Sequence, residues 1–518
     1  MNTIISQDGN NPYLNNPYAS LKTPRSQIIH EGRLYTKLSY ELKFNTAARL
    51  IKIIQVIALV IVSCFIALAF QSIRRLWFEG IRGSESVNVL IPQGVPECTD
   101  IWMLIISSLS VRDLLAVRKT SVHKKTMVER TLVNYLNAGK ITPTDMGISK
   151  VTDLIDFFGE NCAQITKLNL KKNLTINDSD IENLSKYFTN LKYLLLENSM
   201  MSNESAIHLS KMEMLTSLNL KYCSQINDFS FLQHSKEFTT LNLKHFKEII
   251  DLSFLQYCEG LTSLDLGGCN EINDFSFLHH CKGLISLGLG LCKQINDFSF
   301  LQHCKGLTSL DLGGCTQIND FSFLQHCKGL ISLGLVRCRQ INDFSFLQHC
   351  KKLTSLDLTC CVQLNDVSFL QHCKELSNLY LMGCTQINDI SFLQDCQELT
   401  RLSLSCCSQI NDFSFLQHCK KLISLDLTGC KDNDVSFLQH CQELTILNLR
   451  FCDQIDNFSF LQHCEELTTL DLSECGQIND VSFLQNCKGL TTLDLSGCDQ
   501  INNMSIQFLL DRGVIVKR

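Results

Sequence analysis

Leucine recurs every 23 residues, at Leu264, Leu287, Leu310, Leu333, Leu356, Leu379, Leu402 and Leu425, and the residues between stay close to LTSLDLGGCTQINDFSFLQHCKG. Such a chain cannot fold around one central core. Each unit carries the same apolar positions and finds their complement only in its neighbours, so the units must form a one-dimensional stack. This repetition overrides any domain count drawn from the 518-residue length. One unit is a residue short: Leu447 follows Leu425 after 22, where KDND replaces TQIND. Before Leu218 the units are longer and more divergent, as terminal repeats tend to be, and the first that can be placed carries Leu168. About fifteen repeats are expected within 160–518, closed by a C-terminal cap.

Within a unit, alternation along a short strand places Leu261, Leu264 and Leu266 in the core and turns Thr262, Ser263 and Asp265 outward. Ile272, Phe275, Phe277 and Leu278 bring the return segment back over that core. Asn273, Asp274 and Ser276 supply capping oxygens for a short helical turn. Parallel strands about 4.8 Å apart then give an outward sheet roughly 65–70 Å long, which is the size of a protein surface.

Of the 28 cysteines, 23 follow the same period in two series. One series is Cys223, Cys269, Cys292, Cys315, Cys338, Cys361, Cys384, Cys407, Cys430, Cys452, Cys475 and Cys498. The other is Cys258, Cys281, Cys304, Cys327, Cys350, Cys373, Cys396, Cys419, Cys441, Cys464 and Cys487. Cysteines locked to a structural period in a long chain read as reduced, inward-pointing core residues in a reducing compartment, not as a disulfide framework. His280, His303, His326, His349, His372, His418, His440 and His463 stand beside ladder cysteines. Neighbouring His and Cys in one helical turn diverge, and tetrahedral zinc needs four converging ligands, so neither a metal nor another cofactor is expected.

The pattern L-x-x-L-x-L-x-x-C-x-x-I resembles the leucine-rich repeat. A cysteine at 269 and its equivalents, where asparagine often stands, is similar to the cysteine-containing class common in F-box receptors. The resemblance implies an α/β leucine-rich-repeat solenoid, with a concave parallel sheet and short helical or 3-10 segments on the convex side. Such a solenoid binds a protein target on the concave surface.

The region before the repeats divides into three. Residues 1–45 are polar, rich in Asn, Ser and Pro, and read as a disordered tail. Residues 50–72 read as one transmembrane helix, because the uncharged run 53–70 has no soluble face and Arg49, Lys52, Arg74 and Arg75 flank it. Residues 95–137 read as a small helical module. Here Ile101, Trp102, Ile105, Ile106, Ser107, Leu109, Asp113, Leu114 and Leu115, followed by Arg118, Thr120 and Ser121, resemble an F-box, which docks a Skp-type adaptor of cullin-RING ubiquitin ligases. The resemblance implies that Ile101, Trp102, Ile105, Ile106, Leu109, Leu114 and Leu115 bind that adaptor. The alternative is a helical cap on the solenoid.

No Gly-rich phosphate loop opens a helix, no nucleophile has a plausible base, and the Gly267-Gly268 and Gly313-Gly314 pairs are repeat consensus. Cys98-Thr99-Asp100 has the C-x-D form of bacterial leucine-rich-repeat ubiquitin ligases, but the chain leaves no room for their large catalytic domain. The protein is therefore not read as an enzyme. A formal net charge of -6 disfavours nucleic acid. Specificity must come from outward positions that break the consensus. These are Arg337 and Arg339, Tyr380 and Met382, Arg401, and then Arg450 and Phe451, a basic and aromatic track of the kind that anchors interfaces.

The sequence thus predicts a single-pass membrane protein with its repeats in a reducing cytosol, where sequons such as Asn457-Phe458-Ser459 and a load of free thiols are at home. It would act as the substrate receptor of an SCF-type ubiquitin ligase, similar to eukaryotic-like effectors of intracellular bacteria. The alternative is a membrane-anchored interaction scaffold with no ligase role.

Overall fold

The computed structural model describes residues 109–119, 122–170, 176–234, 237–246, 249–318, 320–431, 434–455, 457–502 and 504–518, and the backbone of short strands within 4–42 and 86–92. The chain divides into two units, 1–175 with 183–193, and 176–182 with 194–518.

In the first unit, three helices are α1 (Val111–Arg118), α2 (Val122–Asn137) and α3 (Val151–Phe158). Ser110 caps α1, accepting the Asp113 N–H at 3.3 Å, which satisfies a donor the helix start leaves free. Leu114 of α1, Val128, Leu132 and Leu136 of α2, and Leu154 and Phe158 of α3 are buried. The spacing of four or eight residues in α2 and α3 puts each set on one helix face. Arg118 binds this unit together. It pairs with the buried Glu129 at 2.6 Å, lies 3.9 Å over the Phe157 ring and donates to the Phe157 carbonyl at 2.8 Å. Of the residues that the F-box resemblance marks, Leu114 is thus an interior residue of this unit and Arg118 is half-buried.

Where the sequence reading expects a disordered tail, the structure places strands Ile4–Ser6, Ala19–Leu21, Ser26–His30 and Arg33–Leu42, which join Ser86–Pro92 in a five-stranded antiparallel sheet. The signal is the alternation Leu34, Thr36, Leu38, Tyr40, Leu42 against Tyr35, Lys37, Ser39 and Glu41, a period of two that the polar composition conceals. The expected membrane span 53–70 lies outside the described residues. Among those residues, no helix is long and apolar enough to cross a membrane.

The second unit is the stack. Fourteen parallel strands of three residues, from Ser217–Asn219 to Ile515–Lys517, follow one another in chain order. They pair in strict register, with Leu264 opposite Leu241 on one side and Leu287 on the other. Return segments such as Ser276–His279 and Ser299–His303 are 3-10 helices. Core burial follows the pattern expected from sequence. Leu261, Leu264, Leu266, Ile272, Phe275, Phe277 and Leu278 are all buried, while Thr262, Ser263 and Asp265 are half-exposed. Nearly every helical turn starts on an aspartate: Asp274 Oδ1 accepts the Ser276 N–H at 2.8 Å, Asp297, Asp320 and Asp343 do the same for their serines, and Asn457 takes the place for Ser459. Phenylalanines stack from coil to coil, as in Phe275 against Phe300 at 4.8 Å between ring centroids.

All 26 described cysteines are free, and 24 of them are buried. The two series differ. In the first, each thiol donates to a leucine carbonyl of the preceding coil, Cys269 to Leu243 at 3.2 Å, Cys315 to Leu289 at 3.1 Å and Cys361 to Leu335 at 3.1 Å. This gives a strand-end carbonyl a second donor beside the backbone N–H it accepts from its own coil, as Leu289 O accepts Cys292 N–H at 3.2 Å. In the second the contacts lengthen, 3.7 Å for Cys281 and 3.9 Å for Cys327, so these thiols act mainly as core filling.

Candidate binding surface

Three rows run along the outward edge of the sheet in the second unit: the strand residues themselves, the residue that follows the last core leucine of each strand, and the one after that. The strand-end aspartates are less free than the sequence suggests. Asp265, Asp311 and Asp357 each use Oδ1 to accept the N–H two residues on, from Gly267, Gly313 and Thr359, at 2.9–3.0 Å. They hold the turn at the strand end. Glycines in alternate coils make room for them: a Cβ on Gly288 would lie 2.7 Å from the Asp265 carboxylate, and one on Gly334 would lie 3.0 Å from that of Asp311.

The third row is left-handed. Asn198, Tyr222, His245, Leu291, Arg337, Cys360, Cys406, Phe451 and Glu474 have φ between 57° and 68°. Gly268, Gly314, Gly383, Gly429 and Gly497 occupy the same position in the other coils. The cause is the sheet. The N–H at this position donates to the next coil, Leu291 to Gly313 O at 2.6 Å and Arg337 to Thr359 O at 2.8 Å, while the chain turns away into its return segment. Non-glycine residues carry this conformation at about 1–2 kcal/mol each. Some of their side chains lean over the next coil, into the space a Cβ there would take. A Cβ on Gly314 would come within 2.6 Å of Leu291, and one on Gly268 within 2.7 Å of His245.

Of the residues expected to bind a target, Arg337, Arg339, Met382, Arg401, Arg450 and Phe451 are exposed and Tyr380 is half-exposed. They do not form one cluster. Tyr380 and Arg401 lie on neighbouring strands, where Arg401 donates to Asn378 at 3.3 Å. Arg450 lies 4.8 Å over the Phe451 ring, Arg337 belongs to the left-handed row, and Arg339 sits beyond it in the turn after Cys338. Sequence reasoning missed Tyr222, His245 and Leu291, the first two stacked at 4.4 Å with their planes 6° apart. The recurring glycine of this position was the available signal.

Of the expected adaptor contacts, Ile101, Trp102, Ile105 and Ile106 lie outside the described residues. Leu109 and Leu115 are half-buried, and Leu114 is wholly buried. Among the described residues, no group of His, Cys, Asp and Glu is arranged to hold a metal, and the histidines beside the ladder cysteines are exposed.

Two stretches match family models of this repeat, 465–509 one described as Leucine Rich repeats (2 copies) and 349–368 one described as Leucine Rich repeat. An internalin from Listeria monocytogenes has a similar structure, with a TM-score of 0.51 and 24% identity over 62% of this chain and 89% of that one. The fold is that of a leucine-rich-repeat solenoid. A leucine-rich-repeat protein of Leptospira interrogans is similar at a TM-score of 0.44 and 14% identity, over 65% of this chain and 98% of that one. The functional domain of InlJ from Listeria monocytogenes, which includes a cysteine ladder, is similar at 0.42 and 18%, over 65% and 74%. No curated protein sequence matches the chain.

Proposed function

We propose that this leucine-rich-repeat chain is a non-enzymatic interaction scaffold that holds a protein target on the strand face of its solenoid. One observation carries the reading. The buried positions repeat almost without change, while exposed side chains on the same strands and strand ends vary from coil to coil, with Tyr380, Met382, Arg401, Arg450 and Phe451 among them. Packing explains the constancy and leaves the variation to recognition. Arginines and aromatics are the side chains that most often anchor interfaces. Cross-linking of the purified full chain to proteins of its host, compared with an Arg401→Ala/Arg450→Glu variant, tests this. A cross-linked target that weakens in the variant supports the scaffold, and no target in either form counts against it.

The finer reading is a substrate receptor of an SCF-type ubiquitin ligase, tethered through 53–70 with its repeats in a reducing cytosol. The resemblance at Ile101 to Ser121 supports the adaptor role, and the uncharged run supports the tether. Leu115 is the better probe of adaptor docking, because Leu114 is core and charging it would unfold the helical unit. The wild type should capture a Skp-type adaptor and Leu115→Glu should not. Carbonate extraction should leave the protein in the membrane pellet. An adaptor that never binds returns the chain to a plain scaffold, and release by carbonate removes the tether.

A further inference from the structure

The left-handed row is where this solenoid accepts backbone strain for exposed side chains. Glycine meets the turn's demand in five coils, so it could do so in all, yet Tyr222, Leu291 and Phe451 stand there with 45, 41 and 50% of their surface open. Half-open side chains recover only part of that strain by burial, and strained positions that persist where glycine would serve point to function.

The row also has a chemical character. From Lys221 to Phe451, its residues and those just before them include Lys221, Lys244, Arg337 and Arg450 and not one aspartate or glutamate, the acidic residues coming only at the two ends, where Glu197 pairs with Lys221 at 3.5 Å and Glu474 follows Phe451. The aspartates further back on the strands are turned onto backbone N–H groups of their own coils. Apolar side chains stand among the cations, Leu291 and Met382 between them and Phe451 under Arg450. Lys221 and Lys244 stand on adjacent coils, and beyond them the cations are spaced apart. Four coils separate Lys244 from Arg337 and five separate Arg337 from Arg450, which at about 4.8 Å per coil is roughly 19 and 24 Å. A nucleic-acid backbone, with a phosphate about every 3.4 Å along each strand, would call for a continuous cationic stripe. Discrete carboxylates set among apolar side chains match this spacing.

Resting on the scaffold reading, we propose that this edge from Lys221 to Phe451 docks an acidic protein segment bearing apolar side chains, and that its non-glycine left-handed residues are kept for recognition at the expense of stability. The proposal separates two quantities that usually move together. Arg337→Gly and Phe451→Gly install the residue that other coils already carry, so both proteins should fold and melt at or above the wild-type temperature while binding falls.

The probe is a random copolymer of glutamate and tyrosine, titrated into the full chain at low and moderate salt, with single-stranded oligothymidylate and polylysine as controls. The wild type should bind the copolymer with an affinity that weakens as salt rises. Arg337→Glu/Arg450→Glu should weaken it by about tenfold or more. Equal binding by all variants overturns the proposal, as does oligothymidylate binding in preference to the copolymer. Glycine variants that melt well below wild type overturn the strain argument. A cross-linked protein target that every one of these variants retains would leave the scaffold standing and remove this edge from it.

Discussion

Cys315 shows how much a single residue of the ladder is asked to do. It is buried, its thiol donates to Leu289 O at 3.1 Å, and its neighbours Cys292 and Cys338 are the same residue one coil away. Replacing Cys315 with alanine removes one small side chain and one weak donor, so the expected loss is about 1 kcal/mol, against about 2–5 kcal/mol for Leu310→Ala in the same coil. Chemical denaturation of the two variants measures both, and equal losses would show that the ladder contributes more than small-residue packing. Reactivity follows from burial as well. Burial pushes the thiols of Cys269 and Cys384 up to about 12, so in the folded protein they stay protonated and unreactive at neutral pH. Cys406 is exposed and Cys360 half-exposed. Alkylation under native conditions followed by peptide mapping should mark Cys406 first and Cys360 next among the described cysteines, and the ladder only after denaturation. Labelling of Cys315 in the folded protein would place the ladder in contact with solvent.

At the scale of the element, the turn that opens each return segment ties stability to pH. The backbone N–H and hydroxyl of Ser276 hold the Asp274 carboxyl below its ordinary range, and Ser322 and Ser345 do the same for Asp320 and Asp343. A carboxyl whose folded pKa is depressed contributes stability above the unfolded value near 3.9, and this is lost as pH falls through the lower folded value. Each such carboxylate is exposed and contributes little, but the motif recurs in coil after coil. The melting temperature should therefore fall steeply below about pH 4, and Asp320→Asn should blunt the fall. A melting temperature that is flat from neutral pH to pH 3 would remove the turn from the ledger of stabilising contacts.

These turns were legible in sequence because Asp-x-Ser, or Asn-x-Ser at Asn457, opens the apolar return segments at a fixed offset. The strand ends were not legible. Asp265 reads as an outward polar residue, and only the backbone shows that Gly267 N–H claims its carboxylate. The left-handed row was hidden for a similar reason: a residue such as Leu291 gives no local sign of positive φ, and the sign lies in the glycines of other coils. The paired strands near the N-terminus escaped because a period-two pattern in polar side chains resembles a solvated tail.

At the scale of the whole molecule, the solenoid has a hidden period of two coils. Between residues 261 and 352 the strand ends read Asp265, Gly288, Asp311, Gly334, and the left-handed positions read Gly268, Leu291, Gly314, Arg337. Strict register favours the alternation here, because it sets identical residues about 4.8 Å apart and two aspartates would face each other as like charges, a pairing the stack carries only further on, at Asp471 and Asp494. The geometry adds a steric reason, since a side chain on Gly288 would start 2.7 Å from the Asp265 carboxylate. Deletions can expose this period. Removing residues 284–329 takes out two coils and sets Asp265 beside Gly334, so every junction stays of a kind already present. Removing only 284–306 takes out one coil but sets Asp265 beside Asp311. In a stack stabilised by nearest-neighbour interfaces, the smaller deletion should do more harm. It should lower the melting temperature or split the transition, while the larger one melts once and close to wild type. Differential scanning calorimetry of the two proteins decides the matter, and a one-coil deletion that melts like the two-coil deletion would show that the alternation is sequence history without energetic consequence.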